Sequence, residues 1–447
     1  MVEPLKVGLA GLGTVGSSVI RLLEQGRDKL VARCGRPIEV VALTARSRGK
    51  KRDFDLRKFR WFADPVAMAR DPSIDVLVEV IGGEGDPAKR AVETALAAGK
   101  PVVTANKALL ARHGQKLAAL AERHGVALNF EASVAGGIPI VKILREGLNG
   151  ASFTRIYGIL NGTCNYILSR MEQDRLAFDD CLREAQRLGY AEADPTFDVE
   201  GHDTAQKLAI LASLAFGTKI DPDAVYVEGI SSISLADLDA AAELGYRVKL
   251  LGVAVKTEAG IEQRVHPTMV PKDSAIAQVM GVTNAVTVDA AGLAPITLVG
   301  PGAGGLATAS AIVADLADIA RGVRTAPFGL PTARMAVVRK APMQHHEGGY
   351  YIRLLARDRP GTAATIARRL AQQNISLESI VQRHSFASRG AAAGWRGAAR
   401  PGRSGEAVPV IMITYATSED AVRKALAAVR RDRVVSGRPQ VIRLERA

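Results

Sequence analysis

The chain has 447 residues, 47% hydrophobic and only 4% aromatic, with a formal net charge of +13 and three cysteines. Its length allows two or three domains with cores of their own, and no apolar run approaches the roughly 18 residues needed to span a bilayer, which argues against membrane insertion. Cysteines without a pairing pattern point to a reducing compartment, the cytoplasm, and positive charge spread without a basic helix argues against nucleic acid and for either an arginine-rich proteome or attraction of anionic small molecules.

The first element is Leu5 to Ala10, which reads as a strand entering a turn rather than as a leader. Gly11-Leu12-Gly13-Thr14-Val15-Gly16 and the helical run SSVIRLLEQ follow it. Strand, G-x-G-x-x-G and helix in that order form the context a dinucleotide site requires. The first glycine permits the tight turn, the second lets a pyrophosphate reach the backbone, and the third allows close helix–strand packing. The phosphates then rest on helix N–H groups. The next strand, IEVVALTARS, lacks the acid that binds a ribose 2′-hydroxyl; Arg46, Arg48, Lys50, Lys51 and Arg52 follow instead. This loop suits the 2′-phosphate of NADP(H), or else is a solvated basic loop. IDVLVEVIG and PVVTAN then alternate with helical PAKRAVETALAAG and LLARHGQKLAALAERHG, the pattern of a doubly wound parallel sheet. Lys107 follows the last of these strands at its carboxyl end, where ligands of open sheets bind.

In VALNFEASVAGGIPIVKILREG a strand is expected to end at Glu131, and a Gly-Gly turn leads to Pro139 at a helix start. Freed carbonyls and one carboxylate would hold a cation there, or the segment is a plain structural turn. RIYGILNGTCNYILSRM gives a strand, the turn Asn161-Gly162-Thr163 and a helix; the turn donates to a substrate or caps the helix. From Gly189 to Phe216 charge falls where a buried helix should carry none. LAILASLAF is apolar all round, yet Asp203 and Lys207 stand one turn apart on a shared face before it. An acidic loop with Glu192, Asp194, Asp198 and Glu200 precedes them. Asp203 is expected at or beside the N-cap, accepting backbone N–H groups. Lys207 opposes the helix dipole, and an exposed ion pair with Asp203 is the plainer alternative.

Six segments, GLGTVG, TANKALLA, EASVAGGIPI, ILNGTCNYILSRM, LGYAEADPTFDVEGHDTAQKLAIL and GPGAGGLATASAIVAD, resemble homoserine dehydrogenases in order and spacing. The resemblance implies reduction of L-aspartate 4-semialdehyde to L-homoserine with NADPH or NADH, on the route to threonine and methionine. It implies Lys207 as proton donor to the aldehyde oxygen and Lys107 as a second active-site lysine near cofactor and substrate. Asp203, Glu192 and Asp198 would serve the substrate's polar groups, Glu192 at its amino group. Gly11, Gly13, Thr14, Val15, Gly16, Lys107, Gly189, Glu192 and Gly302 would line the cofactor, with Arg46 and Arg48 on an NADP ribose phosphate. A sodium ion would sit at Glu131 with the backbone of Val134, Gly136 and Ile138. Two rivals are an NADP oxidoreductase for a related amino-acid carbonyl and a non-catalytic nucleotide and amino-acid sensor. A sensor needs no proton donor, so Lys107, Asp203 and Lys207 argue against it.

Farther on, VKLLGVAVKT, IEQRVHPTMV and APITLVGPGA describe a mixed α/β domain expected to dimerise by joining sheets, and the helix after Gly305 is expected to return to the first domain. His345 and His346 are adjacent on a loop without further ligands, poor grounds for a metal. From Tyr350 the βαββαβ order, with a D-x-P-G turn after its first strand, resembles an ACT domain. That implies amino-acid binding between subunits and threonine feedback; the alternative is a purely oligomerising module. The glycine-, alanine- and arginine-rich stretch around 388–406 cannot bury a core and reads as a disordered insertion. The expected fold class is therefore α/β in four parts. They are a Rossmann-type dinucleotide-binding domain (1–135, joined by helix 305–322), a substrate-binding, catalytic and dimerisation domain (136–325), a linker (326–349) and a C-terminal ACT-like regulatory domain (350–447). The expected assembly is a homodimer or homotetramer whose other partners are small molecules.

Overall fold

The computed structural model describes residues 2–337, 339–343, 346–382 and 407–445, and the expected insertion at 388–406 lies outside them. The first layer is built from β1 (Leu5–Ala10), α1 (Thr14–Gln25), α2 (Arg27–Cys34), β2 (Ile38–Thr44), β3 (Arg60–Phe62), α3 (Pro65–Arg70), β4 (Val76–Glu79), α4 (Ala88–Ala97), β5 (Val102–Thr104), α5 (Lys107–His124) and β6 (Leu128–Asn129). The strands form a parallel sheet in the order β3-β2-β1-β4-β5-β6. The order reverses between β1 and β4, which opens a crevice at their carboxyl ends. Val7, Leu9, Val76 and Val78 are fully buried between helices on both faces, so these strands read as continuous apolar runs rather than alternating ones. The strand expected to reach Glu131 ends at Asn129; Glu131–Ser133 winds into a 3-10 turn because the Glu131 N–H is drawn to the Asp315 carboxylate at 2.9 Å.

The second part comprises α6 (Ile140–Lys142), β7 (Phe153–Ile159), α7 (Gly162–Asp174), α8 (Phe178–Arg187), α9 (Thr196–Val199), α10 (His202–Phe216), β8 (Tyr226–Val227), α11 (Leu235–Glu243), β9 (Tyr246–Thr257), β10 (Gly260–Pro271), β11 (Thr283–Ala290), β12 (Ile296–Pro301) and α12 (Gly305–Ala320). α12 lies against α1 so closely that a Cβ on Gly305 would stand 2.9 Å from the Thr14 side chain. Residues 326–337 and 339–343 run along the molecule as a strap. Phe328 is fully buried against Phe130, ring centroids 5.0 Å apart, and Ala336 and Lys340 bridge to Thr218 and Ile261.

The C-terminal module consists of β13 (Glu347–Arg357), α13 (Thr362–Ala371), β14 (Leu377–Gln382), β15 (Ala407–Thr414), β16 (Thr417–Ser418), α14 (Glu419–Arg431) and β17 (Val435–Leu444). Its own core gathers Tyr350, Ile352, Leu354, Ile366, Met412 and Val429. The module is not tethered by the strap alone. β17 pairs antiparallel with β13 and parallel with β10 through Thr268–Arg443 and Met269–Leu444, making one sheet in the order β12-β11-β7-β9-β10-β17-β13-β15-β14. Arg443, 2% exposed, sits at this seam between Glu419, at 2.7 Å, and Glu228, at 3.2 Å. A buried cation there requires both partners. No helix among the described residues is long and apolar enough to cross a membrane, and Cys34, Cys164 and Cys181 are free thiols.

Candidate active site

The glycine turn assigns its three glycines different tasks. Gly11 leaves β1 at φ +111°, and a Cβ on it would stand 2.5 Å from the Val80 carbonyl oxygen. A Cβ on Gly16 would meet the Gly11 carbonyl oxygen at 2.0 Å. Around Gly13, in contrast, nothing lies within 4 Å of a Cβ position, and it caps α1 with no side-chain hydrogen bond. Packing therefore demands the first and third glycines, while the second leaves helix N–H groups open to an anion. A cleft of about 500 Å³ opens here, lined by Gly13, Thr14 and Ser17 together with Lys50, Lys51 and Arg52. Arg52 also ties its loop, donating to the carbonyls of Ser47 and Lys50, each at 2.8 Å. Arg46 and Arg48 are exposed and outside the cleft lining; the Arg48 guanidinium lies over Trp61, 5.8 Å from its ring centre. Val15 is half-buried in the first turn of α1, and Gly302, buried between β12 and α12, flanks the turn through the α12–α1 contact.

Across the crevice, Glu79 at the end of β4 is fully buried. One oxygen accepts the N–H groups of Ile81 and Gly82, at 2.8 and 3.1 Å, and the other accepts the Thr104 hydroxyl at 2.6 Å. Thr104 in turn takes the Asn106 N–H at 3.0 Å, and Asn106 caps α5 while donating to the Gly83 carbonyl at 2.7 Å. This chain of bonds fixes the turn on which Lys107 begins α5. The one mark this network leaves on the sequence is Glu79, an acid closing an otherwise apolar strand.

Lys107 meets the second part of the molecule at Asp203. The Asp203 carboxylate lies 3.2 Å from Lys107 Nζ and 2.8 Å from Lys207 Nζ, and accepts the Asn161 amide at 2.8 Å. Lys207 donates also to the Leu160 carbonyl oxygen at 2.8 Å, so two of its three N–H bonds are committed. Burial alone would push the Asp203 carboxyl up, but Lys207, Lys107 and the Asn161 amide outweigh it and hold it at about 2. Asp203 does not cap α10, contrary to expectation; Gly201 is the N-cap with no side-chain bond, because the carboxylate is turned inward to the lysines. Asn161 does cap, its oxygen accepting the Cys164 N–H at 2.8 Å, while its NH₂ bridges Asp203 and Asp198, both at 2.8 Å. Burial and the Asp203 charge push the Asp198 carboxyl up despite that amide bond. Glu192 stands apart: it is exposed on the loop after α8, near exposed Gly189. Its carboxylate has no hydrogen-bond partner among the described residues, while its carbonyl holds the Gln186 amide at 3.0 Å.

The Glu131 carboxylate is buried and accepts the N–H groups of Val141 and Lys142 at 3.0 and 2.8 Å. Burial, then the neighbouring Asp315 charge, push it up to about 7. Its side chain thus caps α6. Between Val134 and Gly136, Ala135 is held at φ +50°.

Comparisons with known proteins follow this geometry closely. Residues 139–317 match the family model described as homoserine dehydrogenase, residues 11–131 match that of the homoserine dehydrogenase NAD binding domain, and residues 350–393 match the ACT domain. The chain is 43% identical over 433 residues to a homoserine dehydrogenase of Neisseria gonorrhoeae, covering 96% of this chain and 95% of the relative. The solved structure of a homoserine dehydrogenase from Thiobacillus denitrificans superposes with a TM-score of 0.89 at 42% identity, covering 99% and 98% of the two chains. A hyperthermophilic archaeal homoserine dehydrogenase in complex with NADPH gives a TM-score of 0.60 at 27% identity, over 71% and 97%.

Proposed function

This chain belongs to the homoserine dehydrogenase family of oxidoreductases, and on that premise we propose that it reduces L-aspartate 4-semialdehyde to L-homoserine, with NADPH preferred over NADH. The observation that carries the reading is the convergence of Lys107, from the dinucleotide-binding sheet, and Lys207, from α10, on one carboxylate, Asp203. The dinucleotide, when bound, supplies a hydride to the aldehyde carbon. Negative charge then grows on the aldehyde oxygen, and a positioned cation with an uncommitted N–H stabilises it. Lys207 has that N–H left, and its proton passes to the oxygen to complete the alcohol. Lys107 adds a second positive charge, and Asp203 offsets the repulsion that would otherwise drive the two ammoniums apart. Asp198 and Glu192 serve the substrate's polar groups, Glu192 at its ammonium.

Gly11, Gly13 and Gly16 hold the pyrophosphate at the start of α1, and Thr14, Val15, Gly189 and Gly302 border the rest of the dinucleotide. Lys50, Lys51 and Arg52 favour NADPH because they line the cleft where β2 ends without an acid; Arg46 and Arg48 add charge from outside it. A monovalent cation, sodium, would be held at Glu131 with the backbone of Val134, Gly136 and Ile138, and a positive ion there would keep the buried Glu131 carboxylate ionised. The protein works in the cytoplasm for threonine and methionine synthesis, as a homodimer or homotetramer, and threonine acts on it through the ACT module. The test is oxidation of NADPH and of NADH by the purified protein with aspartate 4-semialdehyde, with and without threonine. Turnover with homoserine as product is expected. Absence of turnover from folded protein that binds NADPH would overturn the substrate assignment.

A further inference from the structure

The segment Val279 to Asn284 leads into β11 and touches two turns of the proposed active site. One is the Asn161-Gly162 turn, whose Asn161 amide holds Asp203 at 2.8 Å. A Cβ on Gly162 would stand 2.7 Å from the Val282 carbonyl oxygen and 3.6 Å from Asn284 Oδ1. The other is the Pro301-Gly302 turn, where a Cβ on Gly302 would fall 2.0 Å from Asn284 Nδ2 and 2.5 Å from its Oδ1. The flat amide thus fills the space that any side chain at 302 would need. Asn284 is 1% exposed, and neither polar atom of its amide has a hydrogen-bond partner among the described residues. Packing alone would be better served by leucine, which branches at the same atom and has no polar group to desolvate. What leucine lacks is the thinness of a planar group. Nor can the amide give way, because its segment is held from behind. Lys249, buried on β9, donates to Asn165 Oδ1 at 2.9 Å and to the Val279 carbonyl, and the Asn165 amide donates to the Gly281 and Thr283 carbonyls at 2.9 and 3.1 Å. The Gly302 turn is backed in the same way, the Gly137 N–H donating to the Pro301 carbonyl at 2.9 Å.

We propose that Asn284 is a positioning residue for hydride transfer, a spacer whose amide sets how far the Gly302 turn stands from the Asn161 turn. The proposal rests on the reading of Gly302 as a border of the dinucleotide and of the lysine site as the place where an aldehyde is reduced. Asn284 touches neither reactant; it acts through Gly302 on one side and Gly162 on the other. Asn161, next to Gly162, holds the carboxylate that both lysines share, so the separation of the two turns is also the separation of hydride donor from aldehyde. Reacting atoms must be held about 3–3.5 Å apart, and a misplacement of about 1 Å costs on the order of 10²-fold in rate. A spacing fixed by one side chain between two held segments therefore has a direct kinetic consequence.

The test is a size exchange across the contact. Gly302→Ala, Asn284→Ala and the double variant are compared with wild type in NADPH affinity, by fluorescence titration of the free protein, in kcat, and in the isotope effect with NADPH deuterated at the transferred position. Gly302→Ala drives a methyl group into the amide and should weaken NADPH binding about tenfold or more. Asn284→Ala should bind NADPH within about threefold of wild type yet lose about tenfold or more in kcat, with a larger isotope effect as the chemical step becomes limiting. In the double variant the new methyl group takes the place the amide has left. Its NADPH affinity should return to within about threefold of wild type, and its kcat should exceed that of either single variant. Effects of the two substitutions that simply multiply would overturn the spacer. So would Asn284→Ala with wild-type kcat and isotope effect and only a lower thermal midpoint, which would make the amide a packing residue. Absence of turnover from wild-type protein that binds NADPH would overturn the substrate reading instead, and recovery of NADPH affinity in the double variant would still decide the spacing.

Discussion

Replacing Asp203 with asparagine tests the centre of the proposed mechanism while keeping the shape of the side chain. The carboxylate lies 2.8 Å from Lys207 Nζ and 3.2 Å from Lys107 Nζ and is 5% exposed, so both ammoniums depend on it in a site with little water. Its depression to about 2 from an ordinary value near 3.9 corresponds to roughly 2–3 kcal/mol in favour of the charged, folded arrangement, after burial has been overcome. Asp203→Asn should therefore lower stability at neutral pH by that amount, read from urea denaturation. The folded carboxyl titrates below the unfolded one, so the contribution is complete above about pH 4 and disappears as the pH falls through about 2. In the same variant Lys207 keeps an acceptor but loses the charge that fixes it beside Lys107, and kcat should fall about 10²–10³-fold. NADPH affinity should be unaltered, since the glycine turn is untouched. A variant with kcat within about threefold of wild type and an unchanged denaturation midpoint would refute the role of Asp203 as the bridge between two lysines.

Lys207→Ala should reduce turnover by about 10² or more while NADPH binding, followed by fluorescence titration, stays near wild type. Gly13→Ala and Gly16→Ala should separate binding from folding: the first has open space for a methyl group and should weaken dinucleotide binding with little loss of stability. The second forces a Cβ to 2.0 Å from the Gly11 oxygen and should lower the thermal midpoint. The Lys50→Glu/Lys51→Glu variant should lose about tenfold or more in the ratio of kcat/KM for NADPH over NADH, and an unchanged ratio would remove the cleft loop from cofactor choice. Burial, then Arg247, press the Lys249 ammonium down to about 7, so the folded protein holds fewer protons than the unfolded chain between about pH 7 and 10 and stability rises with pH there. Relative to Lys249→Met, wild type should therefore gain about 2 kcal/mol between about pH 7 and pH 9; a flat difference would contradict the burial argument.

The parts of this molecule that local chemistry specifies were legible in the sequence. The glycine turn, the alternating strands and helices, and the βαββαβ order of the C-terminal module depend on near neighbours, and the parallel and mixed sheets follow from them. β3, with three residues, was not read as a separate strand because so short a run carries no periodicity, whereas β6 was read but ends at Asn129 rather than at Glu131. Spacing alone paired Lys207 with Asp203, four residues away on one helix. It said nothing of Asn161, which reaches Asp203 from another element and turns it away from the helix N-terminus where propensity had put it. Glu79 escaped notice for a related reason. An acid at the end of an apolar strand has meaning only once Thr104 and the Ile81 and Gly82 N–H groups are seen around it.

The seam between β10 and β17 was equally invisible, since pairing partners 175 residues apart leave no mark on either strand's own pattern. Its consequence is more than architectural. By joining the module's sheet to the catalytic sheet, the Thr268–Arg443 pairing holds α14 and β17 beside the entrance to α10. Arg443 needs Glu228 from one side and Glu419 from the other to remain a stable buried cation, so the two parts are held in register by a charge neither can satisfy alone. A module attached only through the flexible reach of a linker would exert no directed force on the active site. Here the same short segment, Val199 to Asp203, contributes Glu200 to the wall of a cleft beside α14 and carries the carboxylate that holds both lysines.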